Sequence, residues 1–106
     1  MSVVAIYVTF PSVAEATHIG QTVIDEKLAA CINIFAPCTS IYRWQGAVEQ
    51  SEEIPALIKT TSDAAATLIA RLGELHSYET PAIAAWPIEQ LPASFAKWVS
   101  ENVPVI

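Results

Sequence analysis

Positive charge is scarce in this sequence. Five Lys and Arg stand against eleven Asp and Glu, a formal net charge of −6, and no stretch gathers a basic patch. Nucleic acids and anionic membranes are held by neutralising phosphates, so the scarcity argues against both as partners. No apolar run approaches the ~18 residues needed to span a bilayer. Residues 1–10, MSVVAIYVTF, have no basic leader region and run into Pro11 and a helix start, so they read as a first strand and not as a signal peptide. Cysteine is scarce too. Cys31 and Cys38 lie on one extended segment, too far apart to bridge to each other if it is straight. A reduced, cytoplasmic protein is the expectation. The chain has no Gly-rich phosphate loop, no nucleophile elbow, no paired Cys/His zinc spacing and no Ser-His-Asp order. Nothing in it therefore predicts an enzyme.

What is present is apolar. The 106 residues make one domain, 1–106, of which 53% are hydrophobic and 15% charged. A domain this small buries a modest share of its surface, so the excess predicts a subunit interface. The stretch from Cys31 to Thr61 reads as two long extended arms meeting at a turn at Gln45-Gly46. Arms of about 13 residues at ~3.3 Å each reach on the order of 45 Å, beyond the ~13 Å radius of gyration of such a domain. A hairpin that overhangs its core with Ile41, Tyr42, Trp44, Val48 and Ile54 exposes apolar surface, which a second copy of the chain would cover; the alternative is that Pro37 and Pro55 bend the arms and fold the hairpin back over one domain. Pro55 in the second arm predicts a local bulge.

Val3 to Phe10 is a buried strand. Ser12 and Glu15 form a capping box for a helix whose stripe is Ala16, Ile19, Val23, Ile24 and Leu28, with Gly20 letting it lie close on the sheet. Thr61-Ser62-Asp63 caps a second helix with Ala65, Leu68, Ile69, Leu72 and Leu75 inward, ending at His76-Ser77. Ala82 to Ile88 is a last strand, and Pro92 opens a short helix with Phe95, Trp98 and Val99 on its apolar face. The final ENVPVI should pack loosely or across an interface. This order predicts an α+β, ferredoxin-like split β-α-β sandwich: one antiparallel sheet, both main helices on one face, and the other face left to sister subunits.

The polar residues that stand out are Trp44 at the hairpin tip, Lys59 in an apolar strand, and His76, Tyr78 and Glu79 in the loop HSYETP. Lys59 must find an acceptor or reach water, as a ligand contact or as an edge charge. His76 sits at a helix C-terminus, where capping alone would explain it, and metal ligation is the alternative. Tyr78 and Glu79 would either bind a ligand or tie down the loop, and Trp44 would pack or form a platform. Glu49, Glu52 and Glu53 form a solvated acidic face or, pooled across subunits, a weak cation site. Cys31 and Cys38 suit soft metals or simple burial.

In these residues the sequence resembles the CutA family, the divalent-cation tolerance proteins. The match lies in EKLAACIN (Glu26 to Asn33), SIYRWQG (Ser40 to Gly46), IKTT (Ile58 to Thr61), HSYETP (His76 to Pro81) and FAKW (Phe95 to Trp98). It departs from the family where Ser77 follows the histidine, where Ala82 follows Pro81 and where Val8 stands near the end of the first strand. The resemblance implies a homotrimer whose hairpins wrap neighbouring subunits, an architecture similar to that of the PII signalling proteins, and a role in tolerance of copper or another divalent cation. It also places Trp44, Lys59, His76, Tyr78 and Glu79 around an inter-subunit cleft. Two functions follow as expectations. One is weak metal binding, with His76 and Cys31 as ligands. The other is a PII-like regulatory module that binds a small molecule, with Lys59 and Glu79 as polar contacts.

Overall fold

The computed structural model describes residues 2–104. Among them, β1 (Val3–Phe10) is followed by α1 (Val13–Asp25), β2 (Cys31–Ile34), β3 (Cys38–Trp44), β4 (Ala47–Thr61), α2 (Ser62–Leu75), β5 (Ile83–Pro87) and α3 (Ala93–Asn102). The strands pair antiparallel in the order β2-β4-β1-β5, and β3 continues along the edge of β4 that β2 occupies. This is the expected ferredoxin-like α+β architecture.

Strand alternation separates the two sheet faces. Val4, Ile6, Val8 and Phe10 stand opposite Thr60, Ile58, Ala56 and Ile54, on the side covered by α1 and α2. Gly20 lets α1 approach the sheet, because a Cβ there would meet two atoms of Ile32 at 3.1 Å. Leu68 and Leu72 point inward from α2, while Ile69, expected beside them, is turned to solvent. A residue next to an i, i+4 pair lies about 100° round the helix, at the margin of the ridge.

The second face is not left wholly to neighbours. α3 packs on β1 and β4, and Val3, Ala5, Val99 and Val103 are buried. Val3 and Ala5 alternate with the core residues of β1, so they belong to this opposite face. Val103 is thus fixed, not loose, while Val105 and Ile106 lie outside the described residues. Trp98 does not join the buried side of α3; it stacks on Phe95 and stays exposed.

The hairpin turns at Gln45 and Gly46, with φ of 50° and 84°. Positive φ at both central residues is the mark of a type I′ turn, whose twist matches that of the strands. The register does not run unbroken to the base. Cys31–Ile34 pair with Lys59–Ala56, and Cys38–Trp44 pair with Glu53–Ala47, so residues 35–37 of the first arm face only 54 and 55 of the second. The expected bulge therefore lies in the first arm, opposite Pro55, while Pro55 keeps regular register with Thr9. In an antiparallel strand a residue's N–H and C=O point to the same neighbour. The donor that Pro55 lacks would point at the bulge, where the ladder is already broken, and its carbonyl accepts from the Phe35 amide at 2.9 Å.

Beyond the bulge, β3 and the first half of β4 leave the main sheet, giving a molecule 44 Å long and 26 by 23 Å across. Ile41 and Val48 there are 68% and 65% exposed.

Candidate functional site

The extra residue in the first arm changes which side chains face inward. Opposed residues share a face, and a slip of one exchanges the faces. Cys31 and Asn33 share the second face with Lys59 and Leu57; past the bulge it is Cys38, Ser40, Tyr42 and Trp44 that stand over Glu53, Ser51, Glu49 and Ala47. This hairpin face, the exposed Tyr7 of β1 and the loop after α2 enclose a cleft of about 850 Å³.

Three of the residues singled out from sequence meet here: Trp44, Tyr78 and Glu79 all line the cleft. Tyr78 is held by its phenol, which donates to Glu53 Oε2 at 3.0 Å. Burial first, and then this bond and the charge of Glu53, push the Tyr78 phenol up to about 12. Burial also raises the Tyr7 phenol, with Cys38 and Glu53 adding to it. Glu49, Glu52, Glu53 and Glu79 all line the cleft, and among the described residues no Lys or Arg does.

The loop is fixed from beneath. Glu15 does not reach back to close the capping box. Ser12 does accept from the Glu15 amide at 3.1 Å, but the Glu15 carboxylate accepts instead from the Ser77 amide at 3.1 Å and the Ser77 hydroxyl at 3.0 Å. His76 is buried, stacked on Phe10 with ring centroids 5.1 Å apart. Its Nε2 lies 2.8 Å from the Thr9 carbonyl, which can only accept, and its Nδ1 faces the Tyr78 amide at 3.1 Å, which can only donate. In this arrangement Nε2 donates and Nδ1 accepts, so both nitrogens are engaged inside the protomer, and Glu15 Oε2 stands 3.6 Å from Nδ1. No lone pair is left for a metal in this arrangement.

Lys59 and Cys31 lie elsewhere. They form a cross-strand pair at the far end of β4, and Lys59 donates to Asn33 Oδ1 at 2.5 Å. Six residues of strand at ~3.3 Å separate Lys59 from Glu53, on the order of 20 Å. Cys31 and His76 are likewise brought nowhere near each other, since His76 packs on Phe10 and Cys31 pairs beside Ala5 through Lys59. Among the described residues, no three His, Cys, Asp or Glu side chains converge closely enough to hold an ion. The donors in the cleft are carboxylate, phenol and hydroxyl oxygens. They fit hard divalent cations better than soft Cu(I).

Tyr7 and Tyr42 were not foreseen as site residues, and Glu53, expected on a solvated acidic face or in a cation site pooled across subunits, is instead buried. Tyr42 was within reach of the sequence, because a two-residue turn at Gln45-Gly46 fixes it opposite Glu49. Burial of Glu53 was not, since it depends on the loop from α2 lying over it.

Residues 4–102 match the family of CutA1 divalent ion tolerance proteins. The chain is 41% identical over 97 residues to the divalent-cation tolerance protein CutA of Thermus thermophilus, covering 92% of this chain and 94% of that one. Among solved structures it is similar to the periplasmic divalent cation tolerance protein CutA of Archaeoglobus fulgidus, with TM-score 0.92, 39% identity, and 96% and 99% of the two chains covered. It is similar also to CutA of Xylella fastidiosa, with TM-score 0.94, 32% identity, and 98% and 100% covered.

Proposed function

The chain belongs to the CutA1 divalent ion tolerance protein family, and we propose that it contributes to tolerance of copper or another divalent cation as a cytoplasmic homotrimer that binds such ions weakly. The observation that carries this is the charge of the cleft: among the described residues its walls hold four glutamates and no basic side chain. Carboxylates are ligands for divalent cations, and donors that do not converge within one protomer accord with weak binding or with ligands pooled across subunits. Binding and assembly, not a reaction, are what this reading assigns. The exposed Ile41 and Val48 of the overhanging hairpin support association. Two unbridged cysteines support a reducing compartment; one solved relative is described as periplasmic, so cell fractionation decides the location.

Copper ligation through His76 and Cys31 would require the imidazole to leave Thr9 and Tyr78, so the carboxylates bear the weight. Calorimetry with Mn²⁺ and Cu²⁺ on the wild type, Glu49→Gln, His76→Ala and Cys31→Ser tests the assignments. We expect Glu49→Gln to weaken binding; no binding in the wild type sinks the metal reading. Sedimentation equilibrium giving the monomer mass at micromolar concentration sinks the trimer.

The second reading is a PII-like regulatory module with a small molecule in the cleft. Its size favours this: about 850 Å³ falls within the roughly 300–1,000 Å³ of small-molecule sites. Lys59 is out of reach, which leaves Tyr78 and Glu79 as its polar contacts. A thermal-shift screen of nucleotides and organic acids tests it, because a ligand bound only by the native form raises the midpoint.

A further inference from the structure

The walls of the cleft combine two features that select one kind of ligand. The first is a nearly buried carboxylate at the cleft wall. Glu53 is 9% exposed, and its Oε2 is taken by a neutral phenol. It makes no ion pair among the described residues. Its other oxygen accepts no hydrogen bond there, and since among the described residues no buried side-chain oxygen or nitrogen is left without a partner, that oxygen reaches the open cleft. A confined carboxylate with one oxygen turned to the cleft offers a cationic ligand a charge-assisted hydrogen bond.

The second is the layout of the charges. Glu49 and Glu53 lie on one face of the same strand, four residues or about 13 Å of strand apart at ~3.3 Å each. No three acidic or other ligating side chains converge among the described residues. Charges strung along a groove match an extended polycation better than a point ion. Tyr42, Trp44 and Tyr78 supply the rest of the wall. Aromatic faces attract ammonium groups and accept methylene chains between them.

From this geometry we infer that the cleft binds a linear aliphatic polyamine, with ammonium groups at Glu53 and Glu49 or Glu79 and its methylene chain along Tyr42 and Trp44. The inference rests on the second reading above, a small molecule in the cleft, and names its class.

Calorimetry of the full chain in its native oligomeric state with spermidine tests it, alongside butylamine, Mn²⁺ and citrate. We expect saturable spermidine binding that weakens about tenfold in Glu53→Gln, the loss of roughly 1.4 kcal/mol, and less in Glu79→Gln, and that falls with added salt. Glu53→Gln retains the acceptor for Tyr78, and the exposed Glu79 provides a variant whose folding is not in question. Trp44 fluorescence should change with the same midpoint. No spermidine binding, affinity unchanged in both glutamine variants, or butylamine binding as tightly as spermidine each overturns the inference. Citrate binding without spermidine binding overturns it while leaving a small-molecule site in place. Mn²⁺ binding without spermidine binding overturns it and keeps only the metal reading.

Discussion

The Phe35 amide donates to the Pro55 carbonyl at 2.9 Å, at the place where the first hairpin arm carries one residue more than the second. A proline is thereby held in an inner strand without costing a ladder bond, because its missing N–H faces the bulge. The same extra residue hands the cleft face from odd-numbered to even-numbered side chains, and so brings Tyr42 and Trp44 to the glutamates.

Pro55→Ala is therefore expected to leave the register untouched. The change acts through the freer unfolded chain and should cost about 0.4–1 kcal/mol. Denaturant midpoints give the loss, and backbone NOEs between β4 and β1 check the pairing of Thr9 with residue 55.

At Gly20 two effects oppose each other. Alanine gains about 1 kcal/mol of helix propensity, but its Cβ would stand 3.1 Å from both Cδ1 and Cγ2 of Ile32, and overpacking of that kind costs about 1–3 kcal/mol. Gly20→Ala should be net destabilising in the wild type. In an Ile32→Val background, where Cδ1 is gone, it should cost measurably less. A double-mutant cycle reads the coupling, and additive single changes would refute the contact.

Tyr78 sets an alkaline limit. Its folded-state pKa is pushed to about 12, above the ordinary 10.0, so between those values the folded state holds a proton that the unfolded state has released. Stability then falls as pH rises through this window and is fully present below about 10. Tyr78→Phe should lose this component of the alkaline decline. It should also be less stable at neutral pH, because Glu53 loses its donor. Thermal melts from pH 8 to 12 on both proteins measure the difference.

His76→Ala removes the donor to the buried Thr9 carbonyl, the acceptor for Tyr78 and the stack on Phe10. A loss of about 3 kcal/mol is expected from the cavity and the orphaned carbonyl together. If the ring is structural, Mn²⁺ affinity of the folded variant stays at the wild-type value.

Much of this was written in local pattern. Ser12 and Thr61 cap where expected, accepting from the Glu15 and Ala64 amides. The apolar stripe of α1 is buried at Ala16, Ile19 and Val23, and Gln45-Gly46 turns the hairpin. Contacts distant in sequence were not legible. Glu15 has a local partner by motif and a better one 62 residues away at Ser77, and a lone sequence cannot rank the two. His76 reads as a cap or a ligand until Phe10 and Thr9 are seen against it.

Periodicity, turn chemistry and caps act over a few residues, so the sequence alone settled the elements, their order, the ferredoxin-like class and the presence of an overhanging ribbon. Tertiary structure decided which faces those elements present. Only folding places the bulge opposite Pro55, lays Tyr78 over Glu53, brings α3 onto the second sheet face and separates Lys59 and Cys31 from the cleft. Each of these depends on which distant groups compete best for one hydrogen bond or one apolar surface, and that competition takes place only when the whole chain is packed.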